Sequence, residues 1–266
     1  MALLKGPAES KLAEIRPNVV SLVVVDPPYG VTSESWDTVC DTWWESIWKE
    51  LDRVCDPSAV ILVFGSEPFL SHRRLNAARE YRYDLVWDKV VPAGMAYAKK
   101  RPLQQTESIA LFLSKSIPLS DRYFPVPRPR KNKIMGYATK TSKTAGITPT
   151  DKEPRTYTSK NPVTLLRCPK VKAAPSRPWL RLHTTQKPVP LLMYLICTYS
   201  REGETVLDFT MGSGSTGVAA LLTKRNFIGI ERDPTYFDTA SVRIASYERE
   251  RNHAEEVYSS SFLSPT

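Results

Sequence analysis

The sequence predicts an α/β protein built on a mostly parallel sheet, with a strongly basic segment inserted into it. Three observations carry that expectation. Short apolar, β-branched runs alternate with amphipathic stretches as far as residue 113, the pattern of strands joined by crossover helices, and order resumes at residue 182. Glu204 to Arg232 reads as a complete strand–turn–helix–strand unit with three glycines around its first turn. Between these regular regions, residues 114–181 hold ten prolines and 16 Lys and Arg against three Asp and Glu, with little periodicity.

Taken in order, residues 1–18 read as a short strand, Ala2 to Leu4, and a short helix that ends before Pro17. Val19 to Val25 is an apolar run rich in β-branched residues, as a strand buried on both faces requires. It stops at Asp26-Pro27-Pro28-Tyr29-Gly30, because prolines cannot continue a hydrogen-bonded ladder. Asp26 and Tyr29 are thereby fixed at the carboxyl end of a strand, where open α/β sheets build their sites. Trp36 to Leu51 reads as an amphipathic helix packed through Trp43, Trp44 and Trp48. Ala59 to Gly65 is the next buried strand and Glu67 to Glu80 the next helix. Asp84 to Trp87 and Ser108 to Leu113 are two further strands. A loop over Asp88 to Gln105 joins them and contains Gly94, Tyr97 and the basic run Lys99-Lys100-Arg101.

Regular structure resumes at His183-Thr184-Thr185-Gln186-Lys187-Pro188, with Pro188 expected at the first helical position and Thr184 or Thr185 near the cap. That helix runs to about Arg201. The strand–turn–helix–strand unit follows. Thr205 to Leu207 meets Asp208; Gly212, Gly214 and Gly217 mark the turn; Ser215 to Lys224 is helical; Asn226 to Ile230 is a strand ending in Glu231. Glycines there permit positive φ and close approach of a ligand to the backbone. The N–H groups of the helix start attract an anion. Glu231 stands where a carboxylate can accept both hydroxyls of a ribose. The unit thus calls for an adenosine-like ligand with an anionic group. The spacing Gly212-x-Gly214-x-x-Gly217 alone suits NAD as well. A last helix, Thr235 to Arg251, leads into a polar tail over 252–266, expected to fray.

A chain of 266 residues with 41% apolar content can bury a sizeable core, as one large domain or a domain with an insertion. No apolar run is long enough to span a bilayer, and residues 1–18 lack the hydrophobic centre of a signal peptide. Four scattered cysteines (Cys40, Cys55, Cys168, Cys197) and three histidines have no metal-ligand spacing, so reduced thiols, a cytoplasmic location and no metal are expected. The net charge of +9 is unevenly spread, since outside 114–181 the chain carries 21 basic and 25 acidic residues. A basic excess confined to one segment points to a polyanionic partner, most simply a nucleic acid. Tyr123, Phe124, Tyr137, Tyr157 and Trp179 within it suit stacking on bases. The competing reading of the same composition is a solvated excursion without a partner.

Asp26-Pro27-Pro28-Tyr29 and Asp208-Phe209-Thr210-Met211-Gly212-Ser213-Gly214-Ser215 together resemble the amino-methyltransferases of DNA, which methylate adenine N6 or cytosine N4. Trp87-Asp88-Lys89, Thr185 to Pro188 and Gly229-Ile230-Glu231 match the family pattern too. The order, with the tetrapeptide first, the basic insertion next and the glycine motif last, resembles the circularly permuted β group. The resemblance covers nearly all of the chain except 114–181 and the tail. It implies a Rossmann-like, seven-stranded methyltransferase fold using S-adenosylmethionine, with a catalytic domain over 1–113 and 182–251 and a target-recognition region over 114–181. The strand Ala2 to Leu4 would lie beside the one ending at Glu231. The sequence departs from the family at Gly6-Pro7, where a Gly-Asp pair is usual and Glu9 is the nearby acid. His183-Thr184 stands in place of His-Pro, and Ser215 in place of Thr.

The resemblance assigns catalysis to Asp26, Pro27, Pro28 and Tyr29. It assigns cofactor binding to Asp208, Phe209, Gly212, Ser213, Gly214 and Glu231, with Thr185, Lys187 and Pro188 flanking the methionine end. DNA binding is expected at Lys99, Lys100, Arg101, Arg128, Arg130, Lys131 and Lys133. The chemistry of the residues agrees. An exocyclic amine has a delocalised lone pair, so Asp26 and the carbonyl of Pro27 would each accept an N–H and localise it, while Tyr29 stacks on the base. No cysteine nucleophile is required, and Cys168-Pro169 reverses the order that ring-carbon methylation would need. The target base must be flipped out of the duplex. Asp in the tetrapeptide favours adenine N6 over cytosine N4. An NAD-dependent oxidoreductase and a non-catalytic nucleic-acid-binding protein are the alternatives from other classes. DNA is the expected partner, with no membrane; a homodimer and a cognate restriction nuclease stay open.

Overall fold

The structure, a computed structural model, describes residues 1–30, 41–95, 98–136, 155–171 and 186–262, with backbone alone for 129–136, 155–158 and 251–262. The start of the helix expected from Trp36, together with Tyr97, Tyr137, Trp179 and His183 to Thr185, lies outside the described residues. The chain divides into a larger unit, 1–124 with 164–266, and a smaller one, 125–163.

The larger unit is a sheet with helices on both faces. Its strands are β1 (Ala2–Lys5), β2 (Val20–Val25), β3 (Cys55–Gly65), β4 (Glu80–Ala93), β5 (Gln104–Leu113), β8 (Leu165–Arg167), β9 (Thr205–Asp208) and β10 (Asn226–Glu231). Their spatial order is β1-β10-β9-β2-β3-β5-β4-β8. The first five are mutually parallel, β5 runs antiparallel to both β3 and β4, and β8 is parallel to β4. The parallel half and the neighbouring of β1 with β10 are as the sequence predicts. An eighth strand joins the seven expected, because Leu165–Arg167 pairs with Val86–Asp88 at the sheet edge.

Strand alternation sets the two cores. Leu22 and Val24 of β2 face α4 (Val189–Tyr199), α5 (Ser215–Leu222) and α6 (Pro234–Phe262), packing with Leu192, Leu195, Val218 and Ile244. Val23 and Val25 face the other way, onto α1 (Ala8–Leu12), α2 (Asp41–Val54) and α3 (Phe69–Leu75), with Leu12, Trp44, Ile47, Leu51 and Leu70. Trp44 and Trp48 are buried as expected; Trp43 is half-buried and donates its indole N–H to Glu9 Oε2 at 2.9 Å.

Several boundaries differ from the sequence expectation, each for a local reason. The loop expected over Asp88 to Gln105 is shorter, a connection over 94–103, since β4 and β5 extend each other to Ala93↔Gln104. Pro188 is the N-cap of α4, with extended backbone, and Pro190 occupies the first turn. That helix ends at Tyr199, where Ser200 turns extended and caps Ile196 O. Helix α5 stops at Leu222 because Lys224 adopts φ +58°. Helix α6 continues to Phe262 across the tail expected to fray, there being no Gly or Pro between Thr235 and Phe262 to stop it.

The smaller unit is a two-stranded antiparallel ribbon, β6 (Arg128–Gly136) and β7 (Arg155–Lys160), registered from Arg128↔Lys160 to Gly136↔Arg155. Residues 114–124 and 164–171 belong with the larger unit, inside the stretch 114–181 that composition marks out. A 3-10 turn over Leu119–Arg122 buries the Arg122 guanidinium, which binds both oxygens of Glu204 at 2.9 Å and the Ser21 carbonyl at 3.0 Å. The Phe124 N–H then bonds to Thr198 O at 2.8 Å. Breaking a buried pair strands a charge. Arg122→Ala is therefore expected to cost about 3 kcal/mol of stability, read as a lower urea midpoint at unchanged slope.

Candidate functional site

Strands β2, β9 and β10 are parallel and all end at the carboxyl end of the sheet, and the predicted site residues gather there. Asp26 directly follows β2 and Asp208 closes β9. The Thr210 hydroxyl donates to the Asp26 carbonyl at 3.1 Å, tying the prolyl turn after β2 to the glycine turn after β9. This bond joins residues 184 apart in sequence.

In the glycine turn, Gly212 and Gly214 take φ +49° and +76°, in the left-handed region that favours glycine. Gly217 serves a different purpose: a Cβ there would lie 2.5 Å from Ile244 Cδ1 and 2.8 Å from Phe227 Cε1, so glycine lets α5 settle onto α6 and β10. Glu231 accepts the Gly212 N–H on one carboxylate oxygen at 2.9 Å and the Asp233 N–H on the other at 2.8 Å. Its carboxylate is thus held rigidly beside the turn, and each oxygen keeps a further lone pair. Ser213 Oγ meets Gln186 Oε1 at 3.3 Å, and the half-buried Arg243 binds the Ser213 carbonyl and Ser215 Oγ at 3.0 Å each. Phe209 is buried against Trp43 and Trp44, with ring centroids 6.3 and 6.2 Å away. Glu9, bonded to Trp43, therefore stands near the Phe209 side of the site.

Asp208 is buried, accepts Thr216 Oγ1 at 2.6 Å and the Thr210 N–H at 3.0 Å. Burial outweighs these two bonds and pushes its carboxyl up to about 7. A carboxyl with a raised folded-state value contributes stability below its unfolded value, near 4, and loses it as the pH rises through about 7. The ligand-free wild type is thus expected to lose thermal stability relative to Asp208→Asn between about pH 4 and 7; parallel melting curves across that window would contradict this.

At the other end of the site, four charges and a phenol meet. Lys187, whose residue is 8% exposed, places Nζ 2.6 Å from Asp26 Oδ2 and 2.9 Å from Glu107 Oε1. Its ammonium also faces the rings of Phe64, Trp87 and Tyr29 at 5.0, 5.8 and 5.8 Å. Glu107 Oε2 pairs with Lys89 Nζ at 3.0 Å. The Tyr29 hydroxyl lies against Asp26 Oδ1, and 3.0 Å from Glu107 Oε1. Burial raises Asp26 above the usual carboxylate value, and Lys187 offsets this only in part. Burial also opposes charge on Glu107, but Lys187 and Lys89 outweigh it and hold that carboxyl low. Lys187 is desolvated too, yet the two carboxylates keep it firmly protonated.

The sequence places Lys187 with the cofactor segment; in the structure its side chain joins the tetrapeptide, while its neighbour Gln186 reaches the glycine turn. Glu107, Thr210 and Thr216 were not anticipated. Glu107 has one sequence signal, being the lone acid at the entrance to the apolar run Ser108 to Leu113. Lys99, Lys100 and Arg101 are exposed in the connection from β4 to β5. The register Gly65↔Ser108 puts that connection at the same end of the sheet as Asp26, beyond the carboxyl ends of β2 and β3. Arg128 begins β6, with Nε 3.2 Å from the Asn161 carbonyl; the side chains of Arg130, Lys131 and Lys133 lie outside the described ones. Among the described residues no group of three or more His, Cys, Asp or Glu is arranged to hold a metal, and no helix is long and apolar enough to cross a membrane.

Comparison with known proteins gives the family and the fold. Residues 20–242 match a family model described as DNA methylase. The chain is 26% identical over 283 residues to the type II methyltransferase M.HinfI of Haemophilus influenzae, covering 95% of this chain and 70% of that one. A shorter match, 43% over 70 residues, is to the type II methyltransferase M.BglI of Bacillus subtilis and spans only 20% of that protein. Among solved structures, the M1.HpyAVI–SAM complex superposes with a TM-score of 0.59 at 21% identity, covering 91% of this chain and 98% of that one. The cytosine-N4-specific PvuII DNA methyltransferase gives 0.63 at 15%, covering 91% and 85%. These two likenesses concern the fold.

Proposed function

This chain belongs to the DNA methylase family, and on that premise we propose that it methylates the exocyclic N6 of an adenine flipped out of DNA. The observation that carries the reading is the Thr210–Asp26 bond, which makes the prolyl turn and the glycine turn two walls of one site. S-adenosylmethionine supplies the electrophilic methyl group. The residues present fit it: a turn with two left-handed glycines, a carboxylate at Glu231 held beside that turn, and a second carboxyl at Asp208.

Asp208, Phe209, Gly212, Ser213, Gly214 and Glu231 bind the cofactor in this reading, with Pro188 and the segment from Thr185 beside them. Asp26 accepts one N–H of the target amine through its carboxylate and the Pro27 carbonyl accepts the other. This draws the nitrogen towards tetrahedral geometry and frees its lone pair. Pro28 keeps the turn rigid. The ring of Tyr29 stacks on the base, and its hydroxyl, bonded to Asp26 and Glu107, fixes the ring's orientation. The proton released from the methylated nitrogen has Asp26 as its nearest acceptor, a carboxyl whose affinity for protons burial has already raised.

DNA binds along the edge that carries Lys99, Lys100 and Arg101 and through the basic ribbon with Arg128, Arg130, Lys131 and Lys133. The similarity to two type II methyltransferases supports a role as the modification partner of a restriction nuclease in the cytoplasm. The test is nucleoside mass spectrometry of unmodified DNA incubated with the protein and S-adenosylmethionine. N6-methyladenine is the expected product. N4-methylcytosine would move the target to the other base, and unmodified DNA would refute the reading.

A further inference from the structure

We propose, resting on the methyl-transfer reading above, that Glu107 is a positioning residue of the site: it holds Lys187 against Asp26 and shares with Asp26 the hydroxyl of Tyr29. Five separate stretches of chain meet around it, its own included. Glu107 lies on β5, Lys89 on β4, Asp26 at the end of β2, Tyr29 in the turn beyond, and Lys187 immediately before α4. Glu107 touches Lys187 at 2.9 Å, Lys89 at 3.0 Å and Tyr29 at 3.0 Å, so three side chains take their places from one carboxylate.

The arrangement makes little sense as stabilisation alone. Desolvating two carboxylates and two ammonium groups costs about as much as their attraction returns, and apolar side chains of similar volume would fill the space as well. It makes sense as a way of aiming Asp26. With Lys187 on Oδ2 and Tyr29 at Oδ1, both carboxylate oxygens are held, and the plane of the group is set before a base arrives. Lys187 alone could not be kept there. Its ammonium sits among Phe64, Trp87 and Tyr29, where a single counter-charge would leave it poorly compensated. Glu107 supplies the second counter-charge, and Lys89 neutralises what remains.

The charge state of Asp26 is then set by identifiable groups. Lys187 faces it from before α4, Tyr29 from its own turn, Glu107 from β5 with Lys89 behind it, and Asp208 from β9. Removing the Glu107 charge takes away a repulsion and leaves Lys187 to Asp26 alone, so the Asp26 midpoint falls. Removing the Lys187 charge leaves Asp26 with burial and two carboxylates, so its midpoint rises.

The experiment compares wild type, Glu107→Gln and Lys187→Gln in the full chain. Carboxyl carbon NMR of Asp26, assigned through Asp26→Asn, gives its titration midpoint without turnover. Single-turnover methylation gives rate against pH, and calorimetry gives affinity for S-adenosylmethionine. The expected result is a midpoint moved down in Glu107→Gln and up in Lys187→Gln. The acid limb of the rate profile should move with it, and the plateau rate should fall roughly 10- to 100-fold at unchanged cofactor affinity. Glu107→Asp should recover part of the rate. A Glu107→Gln protein with an unmoved midpoint and wild-type rate overturns the proposal, and so does one whose rate and cofactor affinity fall together with no pH shift. Because the NMR titration needs no methyl transfer, opposite midpoint shifts in the two variants together with a wild type that modifies no DNA would sink the reading under Proposed function and confine Glu107 to setting the Asp26 charge.

Discussion

Asp26→Ala is expected to bind S-adenosylmethionine as the wild type does and to transfer methyl groups roughly 10²- to 10⁴-fold more slowly. The lost carboxylate is the acceptor that localises the amine's lone pair, and such a bond is tightest in the transition state, so turnover falls more than ground-state affinity. Cofactor affinity is spared because Asp208, Gly212 and Glu231 are held by their own bonds to Thr216, Thr210 and backbone N–H groups, none of which involves the Asp26 side chain. Loss of Asp26 leaves Lys187 with Glu107, already shared with Lys89, as its one carboxylate partner, so the ammonium is held less firmly in the variant. Calorimetry with single-turnover kinetics separates the two quantities. Wild-type turnover in Asp26→Ala would remove the tetrapeptide from the chemistry.

Replacing Pro125 to Val163 by a short neutral linker is expected to give a folded protein that binds S-adenosylmethionine with unchanged affinity and has lost DNA binding and methylation. The segment forms its own compact unit, and it carries nine Lys and Arg against two Asp and Glu. Each phosphate contact it makes adds about −0.9 to the slope of log affinity against log salt. Neutralising Arg128, Arg130, Lys131 and Lys133 together in the intact chain should therefore flatten that slope by up to about 3.6. A deletion of the wider stretch 114–181 is expected to fail differently. It removes Arg122 from Glu204 and β8 from the sheet edge, so the larger unit itself loses stability. Methylation surviving the 125–163 replacement would show that the ribbon is a passive excursion.

The sequence by itself determined what depends on neighbours along the chain. The β-branched run into Asp26-Pro27-Pro28-Tyr29 and the strand–turn–helix–strand unit from Thr205 to Glu231 were legible in that way, while the placing of Ala2 to Leu4 beside the strand ending at Glu231 came from the family resemblance. Periodicity and the residues that stop a strand are local properties, and a circularly permuted motif order needs only the order of its parts. Element ends were less legible, because they depend on partners. Residues 88–93 become strand only because β5 lies beside them, and Pro188 caps a helix rather than opening it. The start of the basic insertion stays with the sheet through contacts distant in sequence, the Arg122–Glu204 pair across 82 residues and the Phe124 N–H bond to Thr198 O. The centre of the site was decided by folding in the same way. Asp26, Lys89, Glu107 and Lys187 carry no mutual spacing in sequence, and all four are charges that water would solvate separately. Only when the sheet edge excludes water does each become the condition for the others remaining charged.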